Sequence, residues 1–287
     1  MNVAILGGQG QVGTSLVQSF KLTKSSAVKT FSHKEIDVTF PSEITYESLK
    51  NFKPDIIINC AAFTHVDNAE KERVLATNVN GHALKNLAEA SNRLNSKIIH
   101  ISTDYVFGNT QSHPFKETDP TNPLCVYGES KLLGEQMLQE HCDNFAIIRT
   151  SWIYSQYSQN FFNTVRRLYD SIPEMKVVND QIGSPCYAND LAFFISLFCE
   201  KTRGDKVNQI FHYSNEGSCS WYDLALAISK KLGGKLKVTP IQSSEYNSLA
   251  VRPNYSVLDK SKVKEQFKIE VPHWTEALNL FFKTIES

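Results

Sequence analysis

An α/β fold, a doubly wound parallel sheet with a smaller C-terminal lobe, is predicted by three features of the sequence. Short apolar runs alternate with helical patterns over the first 150 residues. A glycine-rich turn, Gly7-Gly8-Gln9-Gly10-Gln11-Val12-Gly13, stands between the first apolar run and the first helical pattern. Beyond residue 150 the alternation loosens, yet no flexible linker divides the chain. Strands separated by helices imply βαβ units, whose strands pair in parallel and bury both faces.

The elements follow in order. Residues 3–6 read as a buried strand, 12–20 as a helix and 28–31 as a second strand. Residues 55–62 (DIIINCAA) form a continuous, β-branched third run. Val74, Val79, Leu84, Leu87, Ala88 and Leu94 fall at helical spacing, so 74–94 is predicted as one helix. Residues 97–102 and 145–150 are further strands, with a helix from about 127 to 141 between them. In the later part, 161–169 and 189–200 look helical, and 210–214 looks like a strand. Ser220 is placed to cap a helix that Gly233-Gly234 ends. Residues 235–241 read as a strand and 273–285 as a closing helix. The expected division is 1–150 for the sheet domain and 151–287 mainly for the lobe, with some segments returning to the sheet.

Composition narrows the function. The chain has 287 residues, and 30 basic side chains balance 30 acidic ones, so no global field favours nucleic acid or an anionic membrane. The first residues lack a basic leader, and the longest apolar run, 191–198, is too short to span a bilayer. Six cysteines without any Cys-x-x-Cys suggest neither zinc nor a disulfide framework, and Cys60 and Cys199 read as small core residues. A soluble, cytoplasmic protein with no bound metal is expected.

The glycine turn satisfies both Gly-x-x-Gly-x-x-Gly and Gly-x-Gly-x-x-Gly. After a strand and before a helix, such a turn lets backbone amides approach a pyrophosphate that rests on the helix N-terminus. Gly7, Gly10, Gln11, Val12 and Gly13 are therefore candidate dinucleotide contacts; a ligand-free glycine turn is the bland alternative. An acid at the tip of the second strand would bond a ribose 2′-hydroxyl and repel a 2′-phosphate. The tip reads Phe31-Ser32-His33-Lys34, without an acid. Ser32, His33 and Lys34 thus favour NADP(H), with NADH as the alternative, unless His33 and Lys34 are only solvated loop residues. Asp37 and Val38 are candidates to contact the adenine.

Ser102-Thr103-Asp104-Tyr105-Val106-Phe107 leaves a buried strand, so its side chains emerge at the ligand-bearing edge of the sheet. Thr103 is placed to hold a carbonyl, and Asp104 either to reach a sugar hydroxyl or to cap a turn. Tyr127 and Lys131, four apart, share one helix face. A neighbouring cation favours a phenolate, which makes a tyrosine a usable acid or base. An ordinary amphipathic helix start is the alternative.

These motifs resemble the dTDP-4-dehydrorhamnose reductases among the extended short-chain dehydrogenases/reductases. The likeness runs nearly end to end: GGQGQVG at 7–13, PDIIINCAAFTHVDNAE at 54–70, STDYVF at 102–107 and YGESKLLGE at 127–135. It continues through RTSWIY at 149–154, NDQIGSPCYANDLA at 179–192, SWYDLA at 220–225 and RPNYS at 252–256. The resemblance implies a Rossmann-type domain using NADPH, a nucleotide-sugar substrate, and Thr103, Tyr127 and Lys131 as the catalytic set. By it, Tyr127 protonates a C4 ketone oxygen, while Lys131 holds the nicotinamide ribose and lowers the Tyr127 pKa. It adds Ala61, Ala62 and Asn78 as cofactor contacts. Asp104, Tyr105 and Trp152 would line a sugar pocket, and Arg252 would meet the nucleotide diphosphate. A core aromatic is the alternative for Trp152, and an arginine with a structural partner for Arg252.

Some family members join subunits through magnesium held by surface glutamates, one of them in the first helix. This chain has Ser15 there, so a monomer or homodimer without bridging magnesium is expected. Two other functions fit the same motifs. One is a non-catalytic NADP binder resembling the methionine adenosyltransferase β subunit. The other is an epimerase or dehydratase, although Asp104-Tyr105 lacks the look of a dehydratase's acidic pair.

Overall fold

The computed structural model describes residues 1–23, 26–109 and 111–286. The first half runs β1 (Asn2–Leu6), α1 (Gln11–Thr23), β2 (Ala27–Phe31), α2 (Ser42–Leu49) and β3 (Ile56–Asn59). It continues with α3 (Val66–Lys71), α4 (Arg73–Thr77), a π-turn at Asn78–His82, and α5 (Ala83–Leu94). Next come β4 (Lys97–Thr103), α6 (Val126–His141) and β5 (Phe145–Thr150). These strands, with a later one, form a parallel sheet in which β2, β1, β3, β4 and β5 lie side by side. The order reverses between β1 and β3, and a doubly wound sheet binds ligands at that reversal. The glycine turn that follows β1 therefore sits at the mouth of the crevice.

Beyond residue 150 the chain makes β6 (Ile153–Tyr154), α7 (Phe161–Tyr169), β7 (Glu174–Val178), β8 (Ile182–Gly183) and β9 (Cys186–Tyr187). There follow α8 (Ala188–Lys201), β10 (Gln209–His212), β11 (Cys219–Ser220) and α9 (Trp221–Lys231). The last elements are β12 (Lys237–Ile241), α10 (Ser261–Phe267) and α11 (Trp274–Glu286). Three of these belong to the layers of the sheet, α10 lying against β10 through Phe267 and Phe211. Strand β10 pairs in parallel outside β5, and α8 packs on α1.

Apolar spacing explains the layering. Val3 and Ile5 face α1 and α8, whereas Ala4 and Leu6 face α2 and α5. Each fully buried aliphatic side chain contributes about 1.5–3 kcal/mol. A third core joins α7, α9, α11 and the β7–β12 ribbon, with Phe162, Phe281 and Leu224 inside it. Ser220 caps α9 as expected, and Asp223 completes a reciprocal capping box. Among the described residues no helix is long and apolar enough to cross a membrane.

Three sequence expectations differ in detail. The strand predicted over 55–62 stops at Asn59, because Cys60 and Ala61 bend across Gly7; a Cβ on Gly7 would lie 2.8 Å from the Ala61 nitrogen. The single helix over 74–94 is divided into α4, the π-turn and α5. Ser15, at the first-helix position where a surface acid was expected, is only 1% exposed in this chain. It lies one turn before Ser19, whose hydroxyl meets that of Ser196, which places it on the side of α1 that packs on α8.

Candidate active site

The glycine turn is built for close approach. Gly7 has φ +72°, where a side chain would be strained, and its amide bonds the Phe31 carbonyl at 3.1 Å. A Cβ on Gly13 would meet the Gly7 carbonyl oxygen at 2.5 Å and the Gly8 Cα at 2.6 Å, so the turn must close without one. This cradle at the start of α1 suits a dinucleotide pyrophosphate. Of the residues expected there, Gln11 reaches furthest across: its Oε1 accepts from Ser155 Oγ at 2.9 Å and Asn160 Nδ2 at 2.8 Å. Those partners were missed in the sequence, being more than 140 positions away. Val12, in contrast, packs its side chain into the core, which leaves only its backbone for the turn.

At the β2 tip the structure corrects the reading of an acid-free site. Glu35 folds back, and its Oε2 accepts from the Ser32 amide at 2.8 Å and from Ser32 Oγ at 2.7 Å. The Ser-x-x-Glu spacing is a capping-box pattern and was the available signal. His33 and Lys34 are exposed, and His33 lies 3.5 Å from Asp37. Asp37 is turned to Thr39, whose amide and hydroxyl it accepts, and Val38 is buried in the core. The Val38 side chain is thus withdrawn into the core, which leaves its backbone to face a ligand, and Asp37 holds Thr39 through Oδ1 alone. Asn78 is likewise exposed. Two residues on, Asn80 turns inward, bonding the Phe63 backbone at 2.8 and 3.0 Å and Ser130 Oγ at 3.0 Å.

A cavity of about 400 Å³ opens between the sheet edge and the later elements, and Gln11, Thr103, Asp104, Tyr127, Trp152 and Arg252 all line it. Tyr105 lies alongside, its ring set edge-on to Tyr127 with 5.8 Å between centroids. Thr103, rather than Asp104, caps the short turn after β4, accepting from the Tyr105 amide at 3.2 Å. Thr103 Oγ1 also donates to Asp104 Oδ1 at 3.1 Å. Burial pushes the Asp104 carboxyl up to about 7, with the Ser256 and Thr103 hydroxyls opposing. Asp104 therefore faces the cavity as a group that exists both protonated and ionised near neutrality.

Tyr127 keeps part of its surface open. Burial raises its phenol above the ordinary tyrosine value, and a hydrogen bond with Thr103 opposes this. Burial outweighs any depression by Lys131, so the phenol is raised rather than lowered. Lys131 is only 1% exposed and turned inward, giving a 2.6 Å hydrogen bond to the Ile101 carbonyl. Burial pushes Lys131 itself down to about 8, Glu135 and Cys60 opposing. The helix spacing was read correctly, but strand β4 competes for the lysine.

Arg252 brings both of its readings together. It lines the cavity, and its Nη2 bonds Asp67 Oδ2 at 2.8 Å, with Ser248 also bound. Arg252, Phe161 and Trp221 also line a second cavity of about 210 Å³. Trp152 is a wall rather than core: its indole stacks on Trp221 with 3.6 Å between centroids and 8° between planes. Its φ of +44° is strained for a bulky residue, and strain of this kind is held only where packing enforces it. Gly183 makes room for it, since a Cβ there would lie 2.5 Å from Trp152 Cε2. Gly183→Ala is expected to cost about 1–3 kcal/mol through overpacking and to change the near-ultraviolet dichroism of the indole pair. An unchanged spectrum at unchanged stability would show the contact to be loose. Among the described residues no group of three or more His, Cys, Asp or Glu side chains could hold a metal.

Comparison with known proteins agrees with this geometry. The family described as the RmlD substrate binding domain matches residues 1–287. A dTDP-4-dehydrorhamnose reductase of Aggregatibacter actinomycetemcomitans is 40% identical over 282 residues, covering 96% of each chain. The spore coat polysaccharide biosynthesis protein SpsK of Bacillus subtilis is 36% identical, covering 98% of this chain and 96% of that one. The crystal structure of a Bacillus anthracis dTDP-4-dehydrorhamnose reductase in complex with NADP superposes with a TM-score of 0.93 at 36% identity, covering 100% of this chain and 99% of that one. With its glycine cradle at the sheet reversal and Thr103 and Tyr127 at one cavity, the chain belongs to the dTDP-4-dehydrorhamnose reductase family of extended short-chain dehydrogenases/reductases.

Proposed function

We propose that this chain is an NADPH-dependent reductase of the C4 ketone of a dTDP-4-keto-6-deoxy sugar, of the dTDP-4-dehydrorhamnose to dTDP-L-rhamnose type. The observation that carries the reading is the convergence of Thr103, Asp104, Tyr105, Tyr127, Trp152 and Arg252 on one cavity beside the glycine cradle. Residues 1–150, with α8 and β10, form the cofactor half, and most of 151–287 forms the sugar half. The glycine turn, Gln11 and the Ala61–Ala62 backbone hold the dinucleotide, which supplies the hydride when bound. Thr103 Oγ1 orients the ketone oxygen, and the Tyr127 phenol gives it a proton. Burial holds that phenol protonated through the neutral range, the form a donor starts from, and a cation beside it would strengthen it as an acid. Arg252, seated by Asp67, offers its remaining donors to a diphosphate.

An absorbance assay at the reduced-nicotinamide band, with dTDP-4-keto sugars and both cofactors, tests the reading. Consumption of NADPH that depends on the sugar supports it. NADPH binding without turnover on any keto sugar would favour the regulatory-subunit alternative.

Cofactor choice gives a second test. Glu35 occupies the two Ser32 donors that a 2′-phosphate would use. Glu35→Gln is therefore expected to improve NADPH over NADH by roughly two- to fivefold in the ratio of Kd values, the scale of an exposed charge. An unchanged ratio would place the phosphate elsewhere.

A further inference from the structure

Behind Tyr127 three side chains meet out of contact with water. Asn59 ends β3, His100 is its neighbour on β4, and Lys131 reaches them from α6; their exposures are 0%, 0% and 1%. Asn59 Nδ2 lies 3.2 Å from His100 Nδ1, and Lys131 Nζ lies 3.0 Å from His100 Nε2.

Counting hydrogens decides what each group is. Asn59 Oδ1 accepts from the Ala61 amide at 3.1 Å, which fixes the side-chain amide with its NH2 toward His100. His100 Nδ1 must then accept, so a neutral ring carries its proton on Nε2. That N–H points at Lys131 Nζ, which already donates to the Ile101 carbonyl at 2.6 Å. A neutral amine satisfies both neighbours, with one lone pair for Nε2–H and one hydrogen for the carbonyl. An ammonium would set N–H against N–H. Moving the ring proton to Nδ1 transfers the same conflict to Asn59, and turning Asn59 over opposes it to Ala61. Every arrangement with a charged Lys131 leaves one buried donor facing another, which is costly.

We infer that His100 is a positioning residue: held by Asn59 in its Nε2–H form, it donates to Lys131 and favours the neutral amine. The inference rests on the role that the family resemblance implies for Lys131, a cation supporting the Tyr127 phenolate, and deepens it. Strand β4 then sets the pH at which this lysine gains its charge, and with it the stabilisation available to a Tyr127 phenolate. The other groups around Lys131 leave the sign unchanged. Glu135, one turn along α6, favours the cation but is engaged by Arg149 and Ser102. Cys60 is pushed up to about 12 by burial, so it faces Lys131 as a neutral thiol. Burial holds the Tyr127 phenol above its ordinary value, so it is neutral as well. Burial keeps His100 well below the usual imidazole range, and any charge gained by Lys131 would push it lower still.

The test is a proton titration of Lys131 by NMR on the full chain labelled with 13C/15N-lysine, the signal being assigned by its loss in Lys131→Arg. In the unsubstituted chain Lys131 should titrate below the surface lysines. His100→Leu and Asn59→Ala should each raise its midpoint by about one unit or more, the scale of one buried hydrogen bond to the neutral form. His100→Gln, whose amide offers an acceptor and a donor, should keep the low midpoint. The pH profile of turnover should move with the midpoint in each variant. A midpoint that falls in His100→Leu would show that the ring accepts from an ammonium. A midpoint unmoved in both His100→Leu and Asn59→Ala would leave His100 a purely structural strand residue. Either result overturns the inference. If His100→Leu fails to fold, Asn59→Ala decides by the same criterion, because it keeps the ring and removes only the group that fixes its tautomer. The titration needs no sugar substrate, so a chain that reduces no keto sugar would end the proposed function without deciding this point.

Discussion

Tyr127→Phe is expected to lower kcat for sugar-dependent NADPH oxidation by about 10²–10⁴-fold, the contribution of a positioned general acid. NADPH affinity should change little, and the fold should be kept. The ring does packing work that phenylalanine retains, lying edge-on to Tyr105 and against Val126 and Ala250. Only the hydroxyl is lost, together with its bond to Thr103. Full turnover in Tyr127→Phe would remove Tyr127 as the proton donor and direct attention to Asp104, the other group at the cavity able to carry a proton near neutrality. Parallel binding titrations with NADPH separate loss of chemistry from loss of cofactor.

The largest stability effect is expected about two turns along the same helix. Glu135 on α6 is fully buried and accepts from Arg149 on β5 at 2.9 and 2.6 Å and from Ser102 on β4 at 2.5 Å. This ties the helix carrying Tyr127 and Lys131 to the two strands beneath it. Arg149→Met removes the counter-charge and leaves an uncompensated carboxylate inside, which should cost about 3–5 kcal/mol in urea unfolding. Replacing both partners by methionine should recover much of that loss, because no buried charge then remains. A cost below about 1 kcal/mol for Arg149→Met would show that water or another cation reaches Glu135.

Much of this was legible beforehand because it depends on local pattern. The alternating apolar runs place the strands, the glycine turn at residue 7 marks the crevice, and Ser220 caps α9 where the sequence put it. Thr103 and Tyr127 meet at one cavity. What failed did so for identifiable reasons. Asn78 came from the resemblance alone; on the π-turn at Asn78–His82 it is exposed, and Asn80 is the residue turned inward. Val12 and Val38 lie in motifs that touch ligands, yet their apolar side chains are drawn into the core. The Glu35 carboxylate was overlooked because the reading stopped at the residues of the strand tip.

Sequence alone determined the sheet, the glycine cradle and the helix face shared by Tyr127 and Lys131, since each follows from backbone geometry within a few residues. The tertiary structure alone decided what those groups face. It joined Lys131 to Ile101 and His100, seated Arg252 on Asp67, bound Gln11 to Ser155 and Asn160, and stacked Trp152 on Trp221. These contacts join residues remote in the chain, and burial makes each hydrogen-bond partner obligatory. Spacing along the sequence carries no record of which remote partner will be there.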